Sequence, residues 1–431
     1  MFAFILLIAL RGAASISDFA ATSSAHTKLL GIQMNKILLS LGFLVTLAGC
    51  STVPEHHGVP ESLAMQVKPI GVDNTRTWGN DTRVSYEFLE TFIDNYMSRK
   101  THSDSLEILA LSGGGANGAF GAGILSAWTE KGTRPEFDLV TGVSTGAILA
   151  VFAFLGTEYD YHIVDFYTNS SDDDLFKAKD FLAAFRSMSM LNVSPYEKLV
   201  RDTIDTELLS VVAEGYRHGR LLLIGTTHLE SQRLSVWNMG AIAAQNTAAS
   251  EKLFEDIILA STAIPGAMPA VQIEVEHGDT SYQELHVDGG VARQVFLLPD
   301  TVSASSLEKG VLAKKRQLYV IRNGEFSPSW QEVTPSLVAI SSRSLNTIIK
   351  YQGRSDVMRI YNQANQANIE FNFAHIDNDF KEVNETKEQF NPEHMQKLFQ
   401  YGFEKMSQDA LWVDRPPEFD SLTIDVTGNH L

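Results

Sequence analysis

The 431-residue chain has one cysteine, Cys50, which excludes an intramolecular disulfide framework and any zinc site built from cysteines. Positive charge is also scarce: 34 lysines and arginines stand against 52 aspartates and glutamates, a formal net charge of −18. A chain of that sign lacks the basic footprint with which a nucleic-acid binder displaces counterions, so no nucleic-acid partner is expected. No apolar run reaches the ~20 residues that a membrane-spanning helix needs, which excludes a polytopic membrane protein. Internal repeats and low-complexity tracts are missing too. What remains is 44% hydrophobic and 20% charged, a globular composition long enough for one large domain or two to three small ones.

The N-terminus reads as an address. An apolar run at 2–10 is followed by Arg11, and a second pattern starts at Met34. There Lys36 supplies a basic flank, 37–47 is apolar, and Ala48-Gly49 precedes Cys50, the order of a secretory signal. Leu47-Ala48-Gly49-Cys50 resembles the bacterial lipobox, which implies cleavage before Cys50 and lipidation of its thiol. Removal of 1–49, which hold Arg11, Lys28 and Lys36 against Asp18, would leave 382 residues and a net charge of −20. The expected location is the bacterial cell envelope, lipid-anchored. Ser51 in place of aspartate after the cysteine points to the outer membrane. Residues 1–33 read as an upstream extension or a removed leader.

Residues 50–104 are expected to be a tether plus an amphipathic helix over 85–100, with Tyr86, Phe88, Leu89, Phe92, Ile93, Tyr96 and Met97 at helical spacing. From 105 to 415 the pattern is one catalytic domain, with a tail over 416–431. Short apolar runs at 106–111, 137–143, 221–226, 234–238, 285–287 and 317–321 read as strands. Helices are expected over 119–131, 147–155, 251–261, 336–372 and 392–407, and 158–206 reads as irregular. Strands alternating with helices mean an α/β fold with a largely parallel sheet and a helical C-terminal part.

Three motifs fall between these elements. Gly113-Gly114-Gly115-Ala116-Asn117-Gly118 sits between a strand and a helix and matches G-x-G-x-x-G. A dinucleotide site would want an acid at the end of the next strand, where this chain has a serine, and a P-loop would want Gly-Lys-Ser/Thr. A glycine turn that aims backbone N–H groups at an anion or a developing oxyanion remains. Gly142-Val143-Ser144-Thr145-Gly146 is a G-x-S-x-G between a strand and an apolar helix, the setting of a nucleophile elbow. Asp288-Gly289-Gly290 ends a third strand; alone it reads equally as a hairpin turn. No H-E-x-x-H or EF-hand loop is present, so neither metal nor cofactor is expected.

In that order, the glycine loop, the G-x-S-x-G and the D-G-G resemble the patatin-like phospholipase family, and 260–269 (Ala-Ser-Thr-Ala-Ile-Pro-Gly-Ala-Met-Pro) is similar to its segment between serine and aspartate. The resemblance covers about 106–290 and implies a three-layer α/β/α fold. It also implies a Ser144–Asp288 dyad, with an oxyanion hole from Gly113, Gly114 and Gly115, that hydrolyses lipid acyl esters. Asn117 departs from the family, which usually carries a basic residue there, and removes a charge beside the loop. A Ser-His-Asp triad stays open because His375, His394 and His430 follow Asp288. A non-catalytic ligand-binding lipoprotein and acyl transfer to an acceptor other than water stay open too. Phe176, Phe181, Phe185 and Met188 are candidate acyl-chain contacts, or ordinary core.

Overall fold

The computed structural model describes residues 56–73, 75–79, 93–94, 105–179, 189–298, 315–380 and 388–417. Cys50 and the signal-like segment, most of the 85–100 helix, Phe181, Phe185, Met188 and His430 lie outside the described residues.

The strands in chain order are β1 (Lys68–Pro69), β2 (Arg76–Trp78), β3 (Ser105–Leu111), β4 (Leu139–Val143), β5 (Lys177–Ala178), β6 (Leu191–Asn192), β7 (Leu221–His228), β8 (Arg233–Asn238), β9 (Val271–His277), β10 (Thr280–Asp288), β11 (Lys315–Glu325) and β12 (Glu370–Ile376). The principal helices are α1 (Gly118–Glu130), α2 (Thr145–Leu155), α3 (Asp160–Asn169), α4 (Ser194–Thr203), α5 (Thr206–Arg217), α6 (Ala248–Thr262), α7 (Leu337–Gln366) and α8 (Pro392–Ser407).

Ten strands form one sheet in the order β1-β9-β10-β7-β4-β3-β11-β12, with β8 and β2 branching from β7. The run from β7 to β12 is parallel throughout, and β9, β10, β8, β2 and β1 extend it antiparallel. The parallel run is buried on both faces, as parallel sheets must be. In β3, Leu106, Ile108 and Ala110 pack into one hydrophobic cluster while Leu109 and Leu111 pack into the other, the period of two that a covered strand requires. Helices α1, α2, α6 and α8 cover the first face, and the C-terminal half of α7, through Val357, Ile360 and Ala364, covers the second. The result is the expected α/β/α arrangement.

Local chemistry explains most boundaries. Every residue of α2 except Ile148 is buried, so its all-round hydrophobicity reflects a central position. It stops at Gly156, whose φ of 120° a side chain would resist. A capping box between Thr247 and Ser250 opens α6, and Pro392 opens α8 at the start read from sequence.

Two expectations need correction. Residues 158–206 are not simply irregular: their described parts hold α3, a helical turn at Asp172–Leu175, the β5–β6 pair and α4. The long C-terminal helix ends at Gln366 rather than 372, because Asn368 takes a left-handed φ of 50° and 370–376 pair with β11 as a strand.

Candidate active site

The sheet brings the motifs together through β7. Along one edge of that strand β4 pairs over 221–225 and β10 over 226–228, so Gly225 faces Val143 and its neighbour Thr226 faces Asp288. The end of β4 and the end of β10 therefore meet head to head. Ser144 is the first residue past β4, and its Oγ donates a 2.7 Å hydrogen bond to Asp288 Oδ2. Both residues are buried, at 6% and 7% exposure.

Ser144 adopts φ 56°, ψ −127°, a strained conformation for a residue with a side chain. The two glycines around it are required by close approach: a Cβ on Gly142 would lie 2.3 Å from Gly146 O, and one on Gly146 would lie 2.3 Å from Leu111 O. Ser261, inside the 260–269 segment, fixes the turn. Its Oγ accepts the Ser144 N–H at 3.0 Å and donates to Gly225 O at 2.8 Å.

Asp288 is held just as closely. Its Oδ1 accepts the Gly290 N–H at 2.7 Å, its own N–H goes to Ala263 O, and its carbonyl accepts from Thr227 Oγ1. Burial pushes its carboxyl up to about 6, against the opposing hydrogen bonds from Ser144 and Gly290. No described histidine bonds to either side chain. His375 lies in a Phe326–Phe373 stack and His394 against Phe380.

The glycine loop lies beside the serine, with the Cβ position of Gly113 3.2 Å from Ser144 Cβ. Its three N–H groups are not equivalent. Gly113 N donates to Gln294 O at 2.9 Å, so this residue shapes the loop rather than offering its proton. Among the described residues no acceptor takes the N–H of Gly114 or Gly115, so of the expected three these two are free to donate. Gly115 reaches this geometry with φ 59°. Asn117 sits at the start of α1 without a side-chain capping bond.

Sequence reasoning missed Gln294. It is buried and links the glycine loop to the turn after Asp288. Its carbonyl takes Gly113 N, its Nε2 donates to Gly290 O at 2.7 Å, its Oε1 accepts from Arg322 Nη1 at 3.3 Å, and its N–H donates to Asp356 Oδ2 at 2.8 Å. Arg322 is itself buried, and burial lowers its guanidinium to about 10, still charged at neutral pH. A cation thus stands behind the base turn although position 117 lacks one.

Aromatic rings flank the site. Phe176 packs on Phe390 and Tyr196, with centroids 5.9 and 6.2 Å apart. The Tyr196 hydroxyl bonds Thr262 Oγ1 at 2.9 Å. Burial and then the Asp288 charge raise the Tyr196 phenol. Of the four candidate acyl contacts, Phe176 is the one described.

Behind Asp288 on the same face of β10 lie His286 and Glu284. Together with His228 they bring ligand-type atoms within 4.8 Å of one another. These donors do not fit a metal. The Ser231 N–H donates to His228 Nδ1 at 3.1 Å, so a neutral ring carries its proton on Nε2, the atom that would have to ligate. Arg76 also pairs with Glu284. Burial alone would raise the Glu284 carboxyl, but Arg76 and the two imidazoles hold it well below the usual range. Burial lowers His286 to about 4. The group is a buried ion network that ties β2 to β10.

Comparison with curated proteins returns no match. Among solved structures, VipD from Legionella pneumophila is similar at 14% identity over 72% of this chain and 68% of that one, with a TM-score of 0.32, a likeness too slight to carry an argument. The sequence match is to a family: residues 109–299, which span the glycine loop, the Ser144 elbow and the Asp288 turn, fit the patatin-like phospholipase model. The chain therefore carries a patatin-like phospholipase domain.

Proposed function

We propose that the protein hydrolyses lipid acyl esters with Ser144 as nucleophile and Asp288 as its base. The observation that carries this reading is the 2.7 Å bond from Ser144 Oγ to Asp288 Oδ2 at a strained elbow. Asp288 takes the Oγ proton as Oγ attacks the ester carbonyl. The oxyanion that forms is met by the N–H groups of Gly114 and Gly115; loss of one such donor typically costs ~2.7–4 kcal/mol in the transition state. Asp288 then gives its proton to the departing alcohol. A water, deprotonated by the same carboxylate, releases the acid and restores Ser144. A carboxyl at about 6 is a stronger base than an ordinary aspartate and is still ionised at neutral pH. The expected substrates are glycerophospholipids or lysophospholipids.

The test is turnover of a p-nitrophenyl ester and labelling by a fluorophosphonate. Ser144→Ala and Asp288→Asn should each abolish turnover, with the double variant no worse than either single. His375→Ala and His394→Ala should stay within a few-fold. A folded histidine variant that lost 10²–10⁴-fold would replace the dyad by a triad.

The lipobox-like sequence supports a second element of the proposal, an acyl anchor at Cys50 in the bacterial envelope. Cys50→Ala should block maturation or release the protein from membranes. Peptide mass data showing an unmodified Cys50 within a longer mature chain would remove the anchor.

A further inference from the structure

Exposed apolar side chains are not spread evenly over this molecule. Twelve large hydrophobic residues are exposed among those described, and six lie within 330–351: Trp330 (89%), Val333, Leu337 (75%), Ile340, Ile348 (63%) and Tyr351. Leu337, Ile340, Ile348 and Tyr351 recur at helical spacing and form one stripe along the first four turns of α7. Of the described side chains between Leu337 and Gln352, none is buried. The later turns of the same helix do bury Val357, Ile360 and Ala364. Half of α7 is thus a core element, and half is an amphipathic helix whose apolar face is left largely exposed by the described chain.

This face abuts the proposed site. Gln352 Nε2 donates to Val291 O at 3.2 Å, and Gln294 Nε2 approaches Gln352 Oε1 at 3.4 Å. Val291, itself 50% exposed, closes the turn that begins at Asp288. The charge around the stripe is also unlike that of the rest. Residues 326–355 hold Arg343, Lys350 and Arg354 against Glu332, a net of +2 in a chain of −18. Lys350 bonds Glu325, whose carboxylate also feels the Arg343 charge, while the Arg343 guanidinium itself donates to the neutral acceptors Gln331 Oε1 and Ser329 O. An exposed tryptophan, an apolar stripe and flanking cations are what an interfacial helix presents to an anionic bilayer surface. The acidic remainder is repelled by the same surface, so the charge distribution orients the molecule with this face down.

We propose that the Trp330–Tyr351 face docks on the surface of a phospholipid bilayer and sets the mouth of the Ser144–Asp288 site against its substrate. The proposal rests on the lipid-hydrolase reading for its purpose but not for its test. Trp330 provides the readout, because Trp78, Trp128 and Trp237 are buried and Trp412 is half-buried. The experiment uses the full chain carrying Ser144→Ala, mixed with vesicles of phosphatidylcholine and phosphatidylglycerol that contain brominated acyl chains. Tryptophan emission should shift to the blue and be quenched. Trp330→Phe should remove the quenched component, and Leu337→Ser/Ile348→Ser/Tyr351→Ser should prevent quenching even where the N-terminus keeps the chain on the vesicles. With Ser144 intact, the triple variant should keep its turnover of a soluble ester within two-fold and lose at least ten-fold on vesicle phospholipid. If wild type turned over neither substrate, the hydrolase reading would fall and the quenching result would still decide the docking face. Unquenched Trp330 on chains that float with the vesicles would overturn the proposal. So would a vesicle-free dimer in which 337–351 is protected from hydrogen exchange, which would make the face a self-interface.

Discussion

Asp288 carries two opposed demands that one measurement series can separate. The proposed mechanism needs its carboxylate, so kcat/KM for a soluble ester should rise with pH through about 6 and level off above it. Stability runs the other way. A buried acid whose folded pKa lies above its unfolded value of 3.8 binds more protons folded than unfolded in the window between the two. Its stabilising contribution is complete below pH 4 and is lost as pH climbs through about 6. Asp288→Asn should therefore be inactive, yet more stable than wild type at pH 8 by up to roughly 3 kcal/mol. Denaturant titrations at pH 8 and pH 4 should show that gain present and then gone. Gln294 makes a different prediction, because it bridges the glycine loop and the base turn without touching Ser144 or Asp288 by hydrogen bond. Gln294→Ala should cut kcat by ten- to a hundred-fold with KM nearly unchanged, and fluorophosphonate labelling should slow in parallel. A variant with wild-type labelling would reduce Gln294 to a packing residue.

Among the elements, β7 decides the site. The two strands that share its edge leave no room at their junction: a Cβ on Gly289 would lie 2.3 Å from Gly225 O, a backbone atom that cannot swing aside. The atoms nearest a Cβ on Gly225 are side-chain atoms of Phe296, Leu234 and Val143, at 3.0–3.2 Å. Gly289→Ala should therefore displace Asp288, abolish ester turnover and lower stability by ~1–3 kcal/mol. Gly225→Ala should retain measurable activity; thermal melts beside ester assays distinguish the two. The strand–turn–helix around Ser144 was readable from sequence because its signals are local: two glycines, a serine and an apolar helix. The start of α8 was readable for the same reason, through Pro392. The end of α7 was not, because no glycine or proline separates Gln363 from Phe373, and Asn368 was the one mark of a left-handed stop. Gln294 was invisible for another reason. Its role comes from partners scattered from Gly113 to Asp356, and no spacing within the sequence encodes such a meeting.

At the scale of the whole molecule, the arrangement is a parallel core with an antiparallel flank, and the proposed chemistry sits where the two join. No helix among the described residues is long and apolar enough to cross a membrane. The head-to-head meeting of β4 and β10 has a consequence for how the protein comes into being. Ser144 and Asp288 are 144 positions apart, and neither hairpin nor helix can bring them together early. Such distant closures are late, entropically costly steps of folding. In refolding from denaturant, helical circular dichroism should return first and fluorophosphonate labelling of Ser144 should lag behind it; labelling that kept pace would mean the two halves assemble together. On the proposed mechanism a chain built this way would be born harmless. Until β10 docks beside β4, the proposed nucleophile would have no base, and the order of assembly would serve as its safety catch.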